Sequence, residues 1–164
     1  MIPEYKAILD RTTHRRKHLA EALRTLRKER KKELDVLYGE AHDHAFSQID
    51  CTKCGNCCAC LGPRIRQSDI KPLAAFERLK PQAFIDRKLK EDEDGDLVFP
   101  QMPCPYFGAD GLCIVYDKRP RACREYPHLD QKRQKGLLGQ HLADLSICPA
   151  VALAAEYIEK LLKE

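Results

Sequence analysis

Nine cysteines carry most of the chemistry that this 164-residue sequence offers. Five of them lie between residues 51 and 60, in the order C-x-x-C-x-x-C-C-x-C. A C-x-x-C step places two sulfurs on one metal ion, because a tight turn brings both side chains to the same side. Cys51, Cys54 and Cys57 repeat this step, which cluster-binding ferredoxins also use. We therefore expect part of a metal or iron–sulfur site here, completed by Cys104, Cys113, Cys123 and Cys148.

Disulfide bonding and simple burial are the two alternatives to metal binding. An odd number of cysteines, with an adjacent pair and a reducing compartment, favours metal ligation over disulfides. Burial of a thiol as a small hydrophobe fits Cys60, but four thiols within eight residues cannot all face one core. The adjacent Cys57 and Cys58 point in diverging directions, so they indicate two neighbouring metal centres or one multinuclear cluster. Without Cys60, eight cysteines remain, enough for two four-sulfur sites or for one cluster and one zinc.

Basic residues adjoin several of these cysteines and would offset the negative charge of bound thiolates. Lys53, Arg121 and the pair Arg119 and Arg124 lie within five residues of a proposed ligand. We expect Arg119 and Arg124 to donate to sulfur or to a backbone carbonyl, a supporting role common around metal sites. For Arg121 we expect ordinary solvent exposure.

The segments that carry the later cysteines are predicted to be short turns and helices. Pro120 suits the first turn of a short helix that carries Cys123. We expect residues 136–139 to form a loop, because a glycine stands at each end. A final helix is predicted from Cys148 and Pro149, where the helix dipole favours a thiolate. Its apolar stripe is Val151, Ala155, Ile158 and Leu162.

Between the two cysteine-bearing halves, the sequence predicts two helices and a short strand. The first covers about 69–79 with Ser68 as its cap, and the second runs from Pro81 to Leu89. The acidic run 91–96 lacks the ligand spacing of a calcium loop and is predicted to be a solvated turn. A strand at 97–99 follows. The expected core residues here are Leu73, Phe76, Leu79, Phe84, Ile85 and Leu89.

Residues 1–50 are predicted to be helical and strongly basic. Between Arg11 and Glu33 there are ten Lys or Arg against three Glu. Thr12 or Thr13 is the expected cap, and Gly39 the expected end or break. An apolar stripe follows 3–4 spacing and is expected to pack on the rest of the chain or on a second copy, giving a homodimer. It consists of Leu19, Leu23, Leu26, Leu34, Leu37 and Ala41.

The basic run also raises the possibility of a nucleic-acid or acidic protein partner. No aromatic residue is interleaved between residues 11 and 33, and no base-reading motif occurs there. A solvated helix face is therefore favoured, and nucleic acid is not expected as a partner. Metal binding by His42 and His44 is also not expected, because positions i and i+2 of a helix point apart. His128 and His141 are expected to be ordinary surface histidines rather than catalytic groups.

The predicted fold class is mainly α: a small irregular helical metal-binding domain with little strand, preceded by a long basic N-terminal helix. We predict residues 1–50 as a basic helical segment and 51–164 as the cysteine-rich domain. A third of the residues are charged and tryptophan is absent, so a lean core is expected. The N-terminus lacks the basic-then-apolar order of a signal peptide, and no apolar run is long enough to span a bilayer. A cytoplasmic location is the expectation.

The cysteine motifs, taken together, also carry a family resemblance. They are Cys51-x-x-Cys54-Gly55-x-Cys57-Cys58, Cys104-Pro105-Tyr106-Phe107, Gly111-x-Cys113-x-x-Tyr116, Arg119-Pro120-x-x-Cys123-Arg124-x-Tyr126-Pro127 and Cys148-Pro149. Over about residues 51–150, the sequence resembles the zinc- or iron-chelating CxxCxxCC family (YkgJ-type proteins). The resemblance implies that the metal ligands are Cys51, Cys54, Cys57, Cys58, Cys104, Cys113, Cys123 and Cys148. Flagellin lysine N-methylases, which are associated with an iron–sulfur cluster, are distant relatives of this family.

Two classes of function follow from these observations. The first is a non-catalytic protein that binds metal or an iron–sulfur cluster and acts in metal handling, electron transfer or partner interaction. A zinc-stabilised interaction module is a variant of it. The second is an enzyme that uses the cluster for protein modification, as in lysine N-methylation. We favour the first, because no general base, nucleophile or glycine-rich nucleotide loop stands out. The expected cofactor is an iron–sulfur cluster, preferably of the 4Fe-4S type, or Zn²⁺.

Overall fold

The computed structural model describes residues 1–163 and is mainly α-helical, as predicted. Within these residues the only strands are two of two residues each, β1 (Lys90–Glu91) and β2 (Leu97–Val98), paired antiparallel. Short 3₁₀ turns occur at Leu26–Lys28, Cys51–Lys53 and Tyr116–Lys118. The α-helices are α1 (Pro3–Thr25), α2 (Lys31–Phe46), α3 (Asn56–Cys60), α4 (Gln67–Phe76), α5 (Pro81–Lys88), α6 (Arg121–Glu125), α7 (Gln134–Asp144) and α8 (Pro149–Leu161).

The chain forms two compact units. The first unit combines Met1–Cys54 with Pro127–Glu164, and the second unit is Gly55–Tyr126. Helices α1, α2, α7 and α8 belong to the first unit, and α3 to α6 belong to the second. The domain division into residues 1–50 and 51–164 stays a prediction.

Helix α8 is the centre of the first unit and packs against α1 and α2. Its predicted apolar stripe is confirmed at Val151, Ala155 and Ile158, which are fully buried, whereas Leu162 lies beyond the helix and is exposed. The partly exposed side of α8 carries carboxylates. Arg11 of α1 forms an ion pair with Glu156 at 2.8 Å. Buried apolar side chains and this ion pair both hold α1 against α8.

The predicted N-terminal helix is broken near its middle. Helix α1 ends at Thr25, and α2 starts after Arg30, whose extended backbone forms the N-cap. The predicted cap at Thr12 or Thr13 is wrong, because α1 begins at Pro3, and the hydroxyl of Thr12 donates to the carbonyl of Ile8 instead. Gly39 does not end α2 either, since the helix continues to Phe46.

The apolar stripe of the N-terminal helices packs within the first unit, one of the two predicted arrangements. Leu19, Leu23 and Leu34 are fully buried, and Leu37 is half-buried. Tyr38, which the stripe did not include, is also buried in this unit.

The loop predicted at residues 136–139 is wrong, because α7 runs through both glycines. Two features stabilise this helix against the cost of its glycines. Leu138 and His141 are buried on its inner face. The carboxylate of Asp35 accepts hydrogen bonds from the backbone amides of Arg133 and Gln134, so a residue nearly a hundred positions away satisfies amides at the start of α7.

In the second unit, α4 and α5 confirm the two helices predicted after the first cysteine cluster. The predicted cap at Ser68 is wrong: Arg66 is the N-cap, and its backbone amide donates to the carboxylate of Asp69 at 2.9 Å. Leu73 and Phe84 are fully buried as expected, but Phe76 is 40% exposed. The acidic run forms the predicted turn, in which the carboxylate of Asp92 accepts from two backbone amides.

No single helix within residues 1–163 is both long and apolar enough to cross a membrane. Helices α7 and α8 meet that criterion only when taken together across a bend of 115°.

Candidate metal centre

Four thiols of the second unit come from separate segments and lie near one another. Cys58 is on α3, Cys123 is on α6, and Cys104 and Cys113 lie in the connection between β2 and α6. All four side chains are half-buried. Burial raises the pKa of Cys123, and negative charge on Cys58, Cys104 and Cys113 acts in the same direction, as expected for thiols that lie near one another. We call these four residues the four-thiol group.

Backbone hydrogen bonds hold the first three of these thiols in place. The amide of Cys104 donates to the carbonyl of Cys58 at 2.9 Å. Phe107 and Cys113 form an isolated antiparallel bridge, and the amide of Ile114 donates to the carbonyl of Tyr106 at 3.0 Å. The loop between them turns at Gly111, which has φ +79° and so a backbone that favours glycine. Cys104 and Cys113 are therefore fixed on opposite arms of one tight loop.

Gly55 sits at the base of α3 and contributes to the same arrangement. Its φ of +65° is left-handed, and it forms the N-cap of the short helix that carries Cys58. A Cβ atom at this position would come within 2.7 Å of the Phe107 ring. The absence of a side chain therefore permits both the turn after Cys54 and the close approach of Phe107.

Asp69 positions the helix that carries Cys123. This side chain is buried, and its two carboxylate oxygens accept from the backbone amides of Arg66 at 2.9 Å and Arg121 at 3.0 Å. It thus ties the start of α4 to the start of α6 and satisfies an amide at each helix end. The sequence predictions did not include this role; the signal was an acidic residue in the first turn of a predicted helix.

The pKa values within the four-thiol group differ strongly. A hydrogen bond with the Cys57 side chain lowers the pKa of Cys58 to about 7, and the charge of Arg119 acts in the same direction. Burial raises the pKa of Cys123 to about 12, with a further contribution from its negative neighbours. Burial likewise raises the pKa of Cys104 and of Cys113. Because metals bind thiolates, metal binding at this group has to displace protons.

The basic residues beside the thiols take the predicted supporting roles. The Nε of Arg119 donates to the carbonyl of Tyr116 at 2.9 Å, and its guanidinium lies 3.5 Å from the centre of the Tyr116 ring. Arg124 donates to the carbonyl of Arg119 at 2.8 Å, so both expected backbone contacts are confirmed. Arg121 is exposed and pairs with Glu125, also as expected.

A second set of thiols belongs to the first unit. Cys51 is the first residue of a 3₁₀ turn and Cys54 is its C-cap, and the amide of Cys54 donates to the carbonyl of Cys51 at 3.1 Å. Cys148 is the N-cap of α8. Its burial raises its pKa to about 12, and negative charge on Cys51 and Cys54 acts in the same direction. These three thiols, which we call the three-thiol group, are therefore neighbours as well.

The start of the first unit anchors the turn that carries Cys51 and Cys54. The hydroxyl of Tyr5 accepts from the backbone amide of Asp50 at 2.7 Å, and the amide of Ile2 donates to the carbonyl of Lys53 at 3.2 Å. The carboxylate of Asp50 caps the turn by accepting from the amide of Thr52. The first residues of α1 therefore help to place the three-thiol group.

Comparison with known proteins agrees with this chemistry. A family model described as CxxCxxCC, "Putative zinc- or iron-chelating domain", matches residues 50–141, which is more than half of the chain. The chain belongs to the CxxCxxCC family. The matched region of the family includes every cysteine except Cys148. No curated protein and no solved structure matches the chain.

The thiols of this CxxCxxCC protein do not form a closed metal site. Among residues 1–163, no three side chains of the His, Cys, Asp or Glu type stand in an arrangement ready to hold a metal ion. Cys57 is half-buried beside Cys58. Cys60 is exposed, and its thiol donates to the carbonyl of Asn56 one turn earlier in α3, at 3.0 Å. The local contact of Cys60 agrees with its exclusion from the predicted ligand set.

The histidines lie outside both thiol groups. His42 contacts Asp43, and His44 stacks on Tyr157. The expectation that His141 is a surface residue is wrong: it is fully buried, and its Nε2 lies 2.7 Å from the side-chain oxygen of Gln134. Burial lowers its pKa to about 4. The error follows from the missed helix α7, which turns this side chain toward Tyr38.

Proposed function

We propose that this CxxCxxCC protein binds metal through two sets of cysteine thiolates and acts without catalysis of its own, in metal handling, electron transfer or partner interaction. The four-thiol group is the observation that carries the proposal. Four sulfurs from three separate segments lie near one another in one unit, whereas disulfides would require them only in pairs. Soft thiolate ligands suit zinc and iron, the two metals in the family's description.

The proposed ligand set is the one that the sequence predicts. Cys58, Cys104, Cys113 and Cys123 would bind one metal centre, and Cys51, Cys54 and Cys148 would bind a second. Cys57 completes the predicted set of eight. Cys57 lies beside the four-thiol group, because its side chain forms a hydrogen bond with that of Cys58, contrary to the divergence expected for adjacent residues.

Metal binding at the four-thiol group would draw the sulfurs together and release protons. Burial and mutual repulsion hold the pKa of Cys104, Cys113 and Cys123 above the ordinary value, so these thiols are protonated near neutral pH without a cation. A bound metal compensates the thiolate charge, and Arg119 adds a nearby positive charge. The binding free energy then stabilises the second unit.

For the nature of the metal centre, we propose an iron–sulfur cluster of the 4Fe-4S type, with Zn²⁺ as the alternative. A cluster would supply one-electron redox chemistry, and zinc would supply structural stability. The four-thiol group provides the four cysteine ligands that either centre requires.

Anaerobic purification followed by elemental analysis and absorption spectroscopy tests the proposal. A cluster predicts iron and acid-labile sulfide, together with a brown colour and absorption at about 400 nm from sulfur-to-iron charge transfer. Stoichiometric zinc without iron in the same sample would contradict the cluster and support the zinc form. A sample that retains neither metal after reconstitution with iron and sulfide, or with zinc, would contradict metal binding altogether.

A further inference from the structure

A surface of basic side chains forms in the first unit where two distant segments meet. One segment is the turn between α1 and α2, and the other is the start of α7. The ammonium of Lys135 donates to the carbonyl of Glu29 at 3.1 Å, so the two segments are in direct contact. We call this the basic surface. Its nine exposed residues are Arg24, Arg27, Lys28, Arg30, Lys31, Lys32, Lys132, Arg133 and Lys135.

The positive charge of the basic surface is almost unpaired. Nearer the N-terminus, Arg11 and Arg15 are neutralised by carboxylates of α8. In the basic surface, by contrast, the only ion pair among residues 1–163 joins Arg30 to Glu33, at a long 3.9 Å. Asp35 lies close by; its carboxylate accepts from the amides at the start of α7, and the charge of Lys132 also acts on it. The cations other than Arg30 and Lys132 remain available to an external anion.

We propose that the basic surface binds double-stranded nucleic acid through its phosphate backbone. Lysine and arginine supply such binding electrostatically, without reading the bases. Segments 24–35 and 130–135 contain no aromatic residue, so stacking on single-stranded bases has no support here. The large exposed apolar side chain next to these segments is the single Val36, too little for insertion into a lipid surface. A charged duplex is the partner that fits.

The sequence alone argued against nucleic acid because residues 11–33 lack aromatic residues and base-reading motifs. Binding to a phosphate backbone requires neither of these features. In the structure, three cations from residues 132–135 lie beside the turn between α1 and α2. The basic residues that form ion pairs with α8 lie nearer the N-terminus and are not part of the basic surface. The inference is independent of the proposed metal centre.

Fluorescence anisotropy with the full chain tests the proposal directly. The probes are labelled DNA and RNA duplexes of about two helical turns. The test variant is Lys28→Ala with Lys31→Ala and Lys132→Ala. The matched control is Lys71→Ala with Lys80→Ala and Lys90→Ala, which removes the same charge from exposed positions of the second unit. Comparison of the two duplexes shows whether the surface prefers one backbone.

We expect the unsubstituted chain to bind duplex with an affinity that falls steeply as salt rises. The test variant should bind at least about tenfold more weakly, and its salt slope should fall by about 3, one for each phosphate contact removed. The control should stay within about twofold of the unsubstituted chain. If the triple variant loses its helical circular dichroism, the single Lys132→Glu change should still weaken binding.

Three results would overturn the proposal. The first is no duplex binding at low salt. The second is an equal loss in the test and control variants, which would show that net charge rather than the basic surface is responsible. The third is tighter binding to vesicles that contain phosphatidylserine, lost in the test variant, which would assign the surface to a membrane.

Discussion

The backbone amide of Cys104 donates a hydrogen bond to the carbonyl oxygen of Cys58 over 2.9 Å. These residues are 46 positions apart, and each carries a thiol of the four-thiol group. The contact joins α3 to the loop that carries Cys104 within the second unit. Backbone contacts therefore help to hold the thiols near one another, and substitutions that disturb the backbone of these segments should weaken metal binding.

Cys123→Ser should lose metal at the four-thiol group, whereas Cys60→Ser should retain it. Cys123 is half-buried among three other thiols, and Cys60 is exposed with a local contact to Asn56. Elemental analysis of the two variants, purified in parallel, measures the difference. Equal metal loss from Cys60→Ser would show that the proposed ligand set is wrong.

Gly55→Ala should destabilise the second unit and weaken metal retention. Alanine in the left-handed conformation costs about 1–2 kcal/mol, and its Cβ would also lie 2.7 Å from the Phe107 ring. Gly95→Ala is the matched control, since Gly95 has φ +77° but no atom within 4 Å of the added carbon. Chemical denaturation of both metal-loaded variants should show the larger decrease in the free energy of unfolding for Gly55→Ala. Equal losses would mean that the contact with Phe107 has no role.

Removing the carboxylate of Asp69 should loosen α6 and, with it, Cys123. Asp69→Ala leaves the backbone amides of Arg66 and Arg121 without their acceptor, at a cost of about 2 kcal/mol or more. Asp69→Asn keeps one acceptor oxygen, so its free energy of unfolding should fall by about half as much as that of Asp69→Ala. The free energy of unfolding and the zinc or iron affinity measure both effects. Unchanged values for Asp69→Ala would contradict the positioning role.

His141 should make the folded state less stable as pH falls from about 6.5 to about 4. Its pKa is lowered to about 4 by burial, so within that window the unfolded chain binds a proton that the folded chain does not. One such group contributes a slope of up to about 1.4 kcal/mol per pH unit, with stability rising as pH rises. Denaturant midpoints of the unsubstituted chain and His141→Gln across this range give the comparison. Parallel pH profiles would contradict a buried neutral histidine.

The sequence predicted the parts of the fold that depend on local patterns. The apolar stripe of α8, the two helices after the cysteine cluster and the turn at the acidic run are each encoded within a few residues, and each is confirmed. Helix α7 was missed because its first amides are capped by Asp35, far away in sequence. Glycine at two positions argued locally for a loop, and the burial of Leu138 and His141 decided otherwise.

For the candidate site as well, the features set by nearby residues could be predicted from the sequence, and those set by contacts between distant segments could not. The spacing of Cys51 to Cys58 predicts metal chemistry, and the family to which the chain belongs agrees with it. The grouping of Cys58 with Cys104, Cys113 and Cys123 depends on hydrogen bonds between segments that no local pattern reveals. The supporting roles of Arg119 and Arg124 could be predicted because their partners lie three and five residues away.

X-ray absorption at the edge of whichever metal copurifies with the full chain tests the central claim most directly, because it reports the ligand atoms themselves. Cysteine ligation predicts a first shell of sulfur alone, with about four sulfurs per metal at about 2.3 Å for zinc or iron. A lower content of sulfur-ligated metal per chain in Cys123→Ser, with no change in Cys60→Ser, would assign that shell to the proposed ligands. A first shell of nitrogen and oxygen in the unsubstituted chain would contradict thiolate binding of the metal.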